Sequence, residues 1–319
     1  MKKLIYVWLA LLALVSCTNS GQGDVVADCK IITGYDNPIK PNAEGLDVEI
    51  ARTIKLETTE DNLLSGLAKV VIVQDSIIIL TDQNSVQSYS FDGHFRCKYG
   101  SKGNGAGDYV NMSGFYVNDD DEVVIIDNFR GALLRYDLNG NFIGKIDVEK
   151  PILNVVCGGM AVDKTKVLFN EYITENGNSL FALYDINDGK VIDELNSPLR
   201  TGGVREGIGK NPMCRYKDEF HVLMPLSQYI LNSYGDSVYK FEAEKEVLTA
   251  EQLGEIKDYG FMTFAQLYYK GDFVGFTDIY ETSTHIFCMT SNIEYAIVDK
   301  SALTCQVYNY TSDRKIPED

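Results

Sequence analysis

Histidine and tryptophan are the scarcest side chains, with three and one in 319 residues. His94, His221 and His285 lie far apart in the chain, and none has the HxxxH partner that puts two imidazoles on one face of a helix. The spacing therefore argues against a zinc hydrolase of that kind. Cysteine is thin as well, at seven, with no CxxC and no paired Cys/His spacing, so the sequence gives no reason to expect a metal. A GxSxG nucleophile elbow is missing, and no Ser, Cys or His stands in a recognisable activating context. Cations are few: 29 Lys plus Arg face 46 Asp plus Glu, a formal charge of −17. No basic run exists to displace the counterions condensed on phosphates, which rules out nucleic acid as a partner. What is abundant is apolar: 45% hydrophobic with 24% charged residues is the composition of a folded chain, not of an acidic disordered tail.

The N-terminus reads as an address. Lys2 and Lys3 precede the uncharged run Leu4 to Leu14, which is too short to cross a hydrocarbon core of about 30 Å at about 1.5 Å per residue. The following Leu14-Val15-Ser16-Cys17 resembles the lipobox of bacterial lipoproteins. That resemblance implies a signal peptide over 1–16, a diacylglycerol on the Cys17 sulfur, and cleavage before it. Acyl chains at about 0.8 kcal/mol per buried CH₂ would hold the protein to the outer membrane of a bacterial envelope. Residues 17–45, polar and rich in Gly, Asn and Ser at their start, are expected to act as a tether. Periplasmic and cell-surface display both remain open. Six cysteines follow Cys17: Cys29, Cys97, Cys157, Cys214, Cys288 and Cys305. Most lie in apolar strand-like runs, where a buried thiol behaves as a small hydrophobe.

A repeat organises the remainder. Asp75 to Asp82 aligns with Asp121 to Asp127 at an offset of 46, and Phe91-Asp92-Gly93-His94-Phe95 with Leu138-Asn139-Gly140-Asn141-Phe142 at 47. Asn187-Asp188-Gly189 continues the series. Such turn pairs accept positive φ and close antiparallel hairpins. Four strands fit the second unit: Ser113 to Asn118, Val123 to Asp127, Ala132 to Asp137 and Phe142 to Val148. The wholly apolar runs Ile77 to Leu80 and Val123 to Ile126 suit strands covered on both faces, while Gln87 to Phe91 alternates as an outer strand would. Radially packed four-stranded blades meet both demands, giving an all-β propeller over 46–312 with a tail at 313–319. Between its last units, 248–270 predicts two short helices, opened by the capping-box pattern Thr249 to Gln252. They would form either a lid or a plug.

The stretch Tyr99 to Tyr109, Gly-rich and ending in Asp108-Tyr109, is followed by a strand, the acidic turn Asn118 to Asp121, Val-Val-Ile-Ile-Asp and Arg135 to Phe142. This pattern resembles the NHL-type repeat and, more closely, the six-bladed β-propeller lipoproteins of Bacteroidetes. The likeness is sharp over 67–195 and looser to about 310. It implies six blades, yet only about five units are countable, so a five-bladed or incomplete ring is the alternative. Leu46 to Thr58 is expected to pair with the C-terminal blade and close the open edge.

Candidate chemistry is sparse. The loop Gly100 to Gly107 lacks the Gly-Lys-Ser/Thr and the helix of a phosphate cradle, so it reads as an inter-blade turn. Asn118 to Glu122 lacks the alternating ligands of a calcium loop and reads as a hairpin turn. Asp75-Ser76-Ile77 and Asp236-Ser237-Val238 resemble O-glycosylation sites of exported Bacteroidetes proteins, though an Asp-Ser turn explains them too. In a propeller, the turns joining second to third strands share a face with the inter-blade connections. Ligand contacts are expected there: Asp127, Asn128 and Arg130; Asn170, Glu171 and Tyr172; Gln228 and Tyr229; and Arg200, Arg205 and Arg215. Arginine forks and tyrosine faces suit a carboxylate-bearing or glycan ligand, or a peptide or protein. The competing assignment of the same arginines is to ion pairs that order loops. The expected function is a lipid-anchored binding or scaffold module without a cofactor. The alternative is a lyase or hydrolase dependent on a divalent cation in the central channel.

Overall fold

The computed structural model describes residues 29–40, 52–60, 62–64, 66–81, 85–148, 159–174, 177–195, 212–223, 228–244, 276–290 and 294–309; for 170–174, 177–180, 195 and 277 it describes the backbone alone. These residues form five sheets, each built on four antiparallel strands. The first holds β2 (Leu67–Val73), β3 (Ser76–Thr81), β4 (Val86–Ser90) and β5 (Phe95–Lys98). The second holds β6 (Met112–Val117), β7 (Val123–Asp127), β8 (Ala132–Tyr136) and β9 (Phe142–Asp147), each end within one residue of expectation. β10 (Gly159–Ala161), β11 (Lys166–Thr174), β12 (Gly177–Asp185) and β13 (Lys190–Leu195) make the third. The fourth comprises β14 (Met213–Tyr216), β15 (Glu219–Leu223), β16 (Tyr229–Leu231) and β17 (Ser237–Phe241). The fifth comprises β18 (Phe276–Glu281), β19 (His285–Thr290), β20 (Glu294–Asp299) and β21 (Thr304–Asn309). In chain order within a sheet, the strands are called a to d below. Among the described residues there are five blades, not the six that the resemblance implied, and no helix; the expected helices at 248–270 lie outside the described residues.

Strand periodicity explains the stacking. On β7, Val123 and Ile125 point into a core shared with Ile78 and Leu80 of the first sheet. Val124 and Ile126 point the opposite way, onto Phe169 and Ala182 of the third. Leu168 and Phe181 meet Phe220 and Val222 of the fourth, and Ile230 and Phe241 meet Ile286 and Val298 of the fifth. Each fully covered aliphatic side chain contributes about 1.5–3 kcal/mol. Hence β3 and β7 are buried along their whole lengths. β4, expected to alternate toward solvent, is buried through Tyr89: Gln87 accepts from the Tyr89 hydroxyl at 2.7 Å, and Ser88 meets the Cys97 thiol at 3.2 Å.

The a strands lie innermost. Lys69 on β2 donates to the Phe115 carbonyl on β6 at 2.9 Å and to the Gly159 carbonyl on β10 at 3.4 Å, so one ammonium reaches three sheets. The outer rim is joined by β1 (Lys30–Ile32), which adds to β17 in parallel, and by bridges from Thr33 to Thr304 and Lys40 to Tyr308. The second part of the expected tether thus straps the fourth blade to the fifth. The described part of Leu46 to Thr58 also departs from expectation. It lies against the first blade, where Glu57 N–H donates to the Gly93 carbonyl at 2.8 Å and Ile54 and Leu56 cover Ile77, Ile79 and Tyr89.

Candidate functional site

Antiparallel wiring fixes two faces: a–b and c–d turns on one, b–c turns and inter-blade connections on the other. Asp127 and Arg130 lie on the second, as expected, but their side chains are engaged. The fully buried Asp127 carboxylate accepts the N–H groups of Val110 at 2.8 Å, Asn111 at 3.3 Å, and Phe129 and Arg130 at 3.2 Å. It therefore welds the b–c turn to the incoming connection. Arg130 donates to the carbonyls of Asp108 and Gly103, the latter at 2.9 Å. Asn128 accepts from the Asn111 amide at 2.8 Å. The Gly-rich loop these residues clamp is itself closed by Asp108, which accepts from Gly105 N–H and Ser101 Oγ, each at 2.8 Å. Those bonds hold the Asp108 carboxyl below the usual range. The loop is a built inter-blade turn.

Arg215 lies on the other face. Its guanidinium pairs with Asp119 in the a–b turn of the second sheet, donates to the Lys217 carbonyl at 3.1 Å and rests 4.9 Å from the Phe220 ring centroid. Here the expected placement is corrected: an Arg four residues before the β15 strand interior belongs to an a–b hairpin and cannot reach a b–c turn. Gln228 is buried, with its carbonyl accepting the Phe241 N–H at 2.8 Å, and the Tyr229 ring lies under the Lys240 ammonium at 5.7 Å. Arg200, Arg205 and Cys17 lie outside the described residues. Ser76 is fully buried and bonded by Arg96 at 2.6 Å, which removes it as an accessible glycosylation site.

Asn170, Glu171 and Tyr172 occupy a strand and not a turn. Among the described residues β10 pairs with β11 from Gly159 opposite Phe169, and β13 with β12 to Leu195 opposite Phe181. β11 and β12 pair from Lys166 with Asp185 through Tyr172 with Ser179 to Thr174 with Gly177. At nine residues each they are the longest strands among the described residues, and their turn lies on the b–c face. On the same face Phe129 is 72% exposed, a residue that sequence reasoning passed over because it sits in a turn.

A second constellation was also missed. Cys214 on β14 is directly opposite His221 on β15, and Glu281 ends β18 in the next blade. One donor atom from each lies within 4.8 Å of the others. His221 Nδ1 pairs with one Glu281 oxygen, and Lys300 Nζ donates to the other and to the Thr282 carbonyl at 3.3 Å. Burial alone would raise the Glu281 carboxyl, but the His221 and Lys300 bonds bring it below its usual range. Burial pushes the Cys214 thiol up, and the Glu281 charge adds to that. The side chains of His221 and Glu281 are 2% and 0% exposed, so no substrate reaches them.

Comparisons with known proteins agree with this architecture. The family model described as a domain of unknown function, DUF4934, matches residues 29–319. A crystal structure of a Bacteroides fragilis protein described as exported is similar at 16% identity and a TM-score of 0.69, over 88% of this chain and 80% of that one. Weaker likenesses include BamB of Moraxella catarrhalis, at 15% identity and a TM-score of 0.41 over 76% and 64% of the two chains. A streptogramin B lyase gives 12% and 0.42 over 76% and 68%. No curated protein matches the sequence.

Proposed function

We propose, for a chain that belongs to the DUF4934 family, that it is an exported propeller held to the bacterial outer membrane by lipid on Cys17, binding an extended polypeptide on its b–c face. The observation that carries this reading is Phe129, 72% exposed on the b–c face, the face on which the long strands β11 and β12 turn. Aromatic side chains are enriched at the cores of protein contacts, and a ring left in water on a loop face is a ready anchor for one. Asn170, Glu171 and Tyr172 lie on β11, one of the two strands that turn on this face. Arg200 and Arg205, in the connection leading from the same blade, would supply charge. The leader and the lipobox-like Leu14 to Cys17 support the location, as does the fold shared with a protein described as exported. Binding is favoured over lyase or hydrolase chemistry because the one catalytic-type cluster among the described residues is closed to solvent.

Replacing Phe129 by a benzophenone amino acid in the exported full chain tests the reading. Irradiation should give one discrete polypeptide adduct that excess unlabelled protein suppresses. The same probe at Ile143, on the outer strand β9, should give none. Equal labelling at both positions, or an adduct digested by glycosidases and not by proteases, would overturn the polypeptide assignment.

A further inference from the structure

The triad of Cys214, His221 and Glu281 is not needed by the binding reading, and no loop-ordering role explains it. We propose that it binds one divalent transition-metal ion of the zinc class, as a strap between the fourth and fifth blades. Thiolate, imidazole and carboxylate are the three side-chain ligands zinc takes, and their mixture of soft and hard donors selects against calcium and magnesium. The three donors come from three strands and two sheets, already gathered within 4.8 Å. Strand pairing sets Cys214 beside His221, and the blade interface brings in Glu281.

The groups around the triad orient it. Lys300 engages one Glu281 oxygen and is held by the Thr282 carbonyl at 3.3 Å and by the Tyr216 ring, whose centroid is 4.5 Å away. That fixes the carboxylate with its other oxygen toward His221. The His221 ring stands edge-on to Tyr239 at 5.5 Å. Outer contacts of this kind set ligand orientation, and Lys300 is a positioning residue. On binding, the ion takes the place of the proton that His221 Nδ1 shares with Glu281; that proton moves to Nε2 and leaves the imidazole neutral, and the Cys214 thiol releases one proton to solvent. Thiolate and carboxylate then balance the two charges of the ion, and a water completes the tetrahedron. Enclosure between sheets makes the ion part of the fold, acquired as the chain folds.

Cobalt is the probe. The full-length chain in detergent, stripped by chelator and titrated with Co²⁺, should bind about one equivalent, as three side-chain ligands and an open position require. It should show thiolate-to-cobalt charge transfer in the near ultraviolet, and Zn²⁺ should displace it. Cys214→Ser should lose the charge-transfer band, Cys97→Ser should keep it, and His221→Gln should weaken binding at least about tenfold. Should Cys214→Ser fail to fold, alkylation of the unmodified chain in sub-denaturing urea decides: Zn²⁺ should slow labelling of Cys214 and leave Cys97 unchanged. No stoichiometric cobalt, a charge-transfer band that survives in Cys214→Ser, or Cys214 labelling indifferent to zinc would each overturn the proposal.

Discussion

Arg215 on the fourth sheet grips Asp119 on the second, reaching past the third. Both side chains are about a third exposed or less, at 32% and 26%. An ion pair so placed is worth about 0–1 kcal/mol, and the contact of Arg215 with Phe220 adds about 0.5–1 kcal/mol. Arg215→Ala should cost about 1–2 kcal/mol in urea unfolding, and Asp119→Ala less. A double-mutant cycle should return a coupling under about 1 kcal/mol. A ligand-binding arginine would show no coupling at all.

Asp127→Ala is the severe substitution on the b–c face. It strips an acceptor from four backbone N–H groups at once, at a buried position. Bonds to a charged acceptor are worth about 1.5–3 kcal/mol each and are not additive, so a total loss of at least about 3 kcal/mol is expected. Asp127→Asn keeps one oxygen and should fall between. Thermal unfolding of the two variants checks the order.

Gly93 seats the segment that covers the first blade. Its φ is +86°, and a β-carbon there would lie 2.0 Å from the Lys55 carbonyl oxygen. Gly93→Ala should therefore lift residues 54–57 off the sheet and uncover Ile77, Ile79 and Tyr89. Hydrogen exchange at the Glu57 amide, which donates to Gly93, should rise by at least tenfold, as expected from about 1.4 kcal/mol of local destabilisation.

Glu122 should contribute to acid sensitivity. Hydrogen bonds from Arg135, at 2.7 and 2.8 Å, outweigh burial, and with Asn118 they hold its carboxyl below the ordinary 4.5, against the charge of Asp120. Since the folded state binds its proton less readily than the unfolded chain, the stabilisation is complete above pH 4.5 and fades as pH falls below it. Glu122→Gln should flatten the loss of unfolding free energy between about pH 6 and pH 3. An unchanged slope would mean the pair is open in solution.

The blade architecture was legible because positive-φ turns recur with the repeat. Gly93, Gly140 and Gly189 are left-handed where Asp-Gly or Asn-Gly was read as a hairpin. Burial of β4 was not legible, since Gln87 and Ser88 look polar until Tyr89 and Cys97 supply their partners. Facing of Cys214 and His221 was within reach. A two-residue turn at Lys217-Asp218, left-handed at Lys217, sets them opposite each other. Glu281 was not, because 60 residues and a blade boundary separate it from His221. β1 escaped notice as three residues in a polar stretch, pairing in parallel with a strand about two hundred positions away.

Hairpin and ring can be separated by one measurement: the yield of the photo-adduct at position 129 after residues 172–179 are replaced by an Asn-Gly turn. Pairing from Lys166 to Asn170 and from Phe181 to Asp185 stays intact in that variant, and its unfolding midpoint is measured beside the adduct. The adduct should fall at least tenfold. An undiminished adduct in a chain of unchanged stability would contradict a polypeptide-binding face built on β11 and β12.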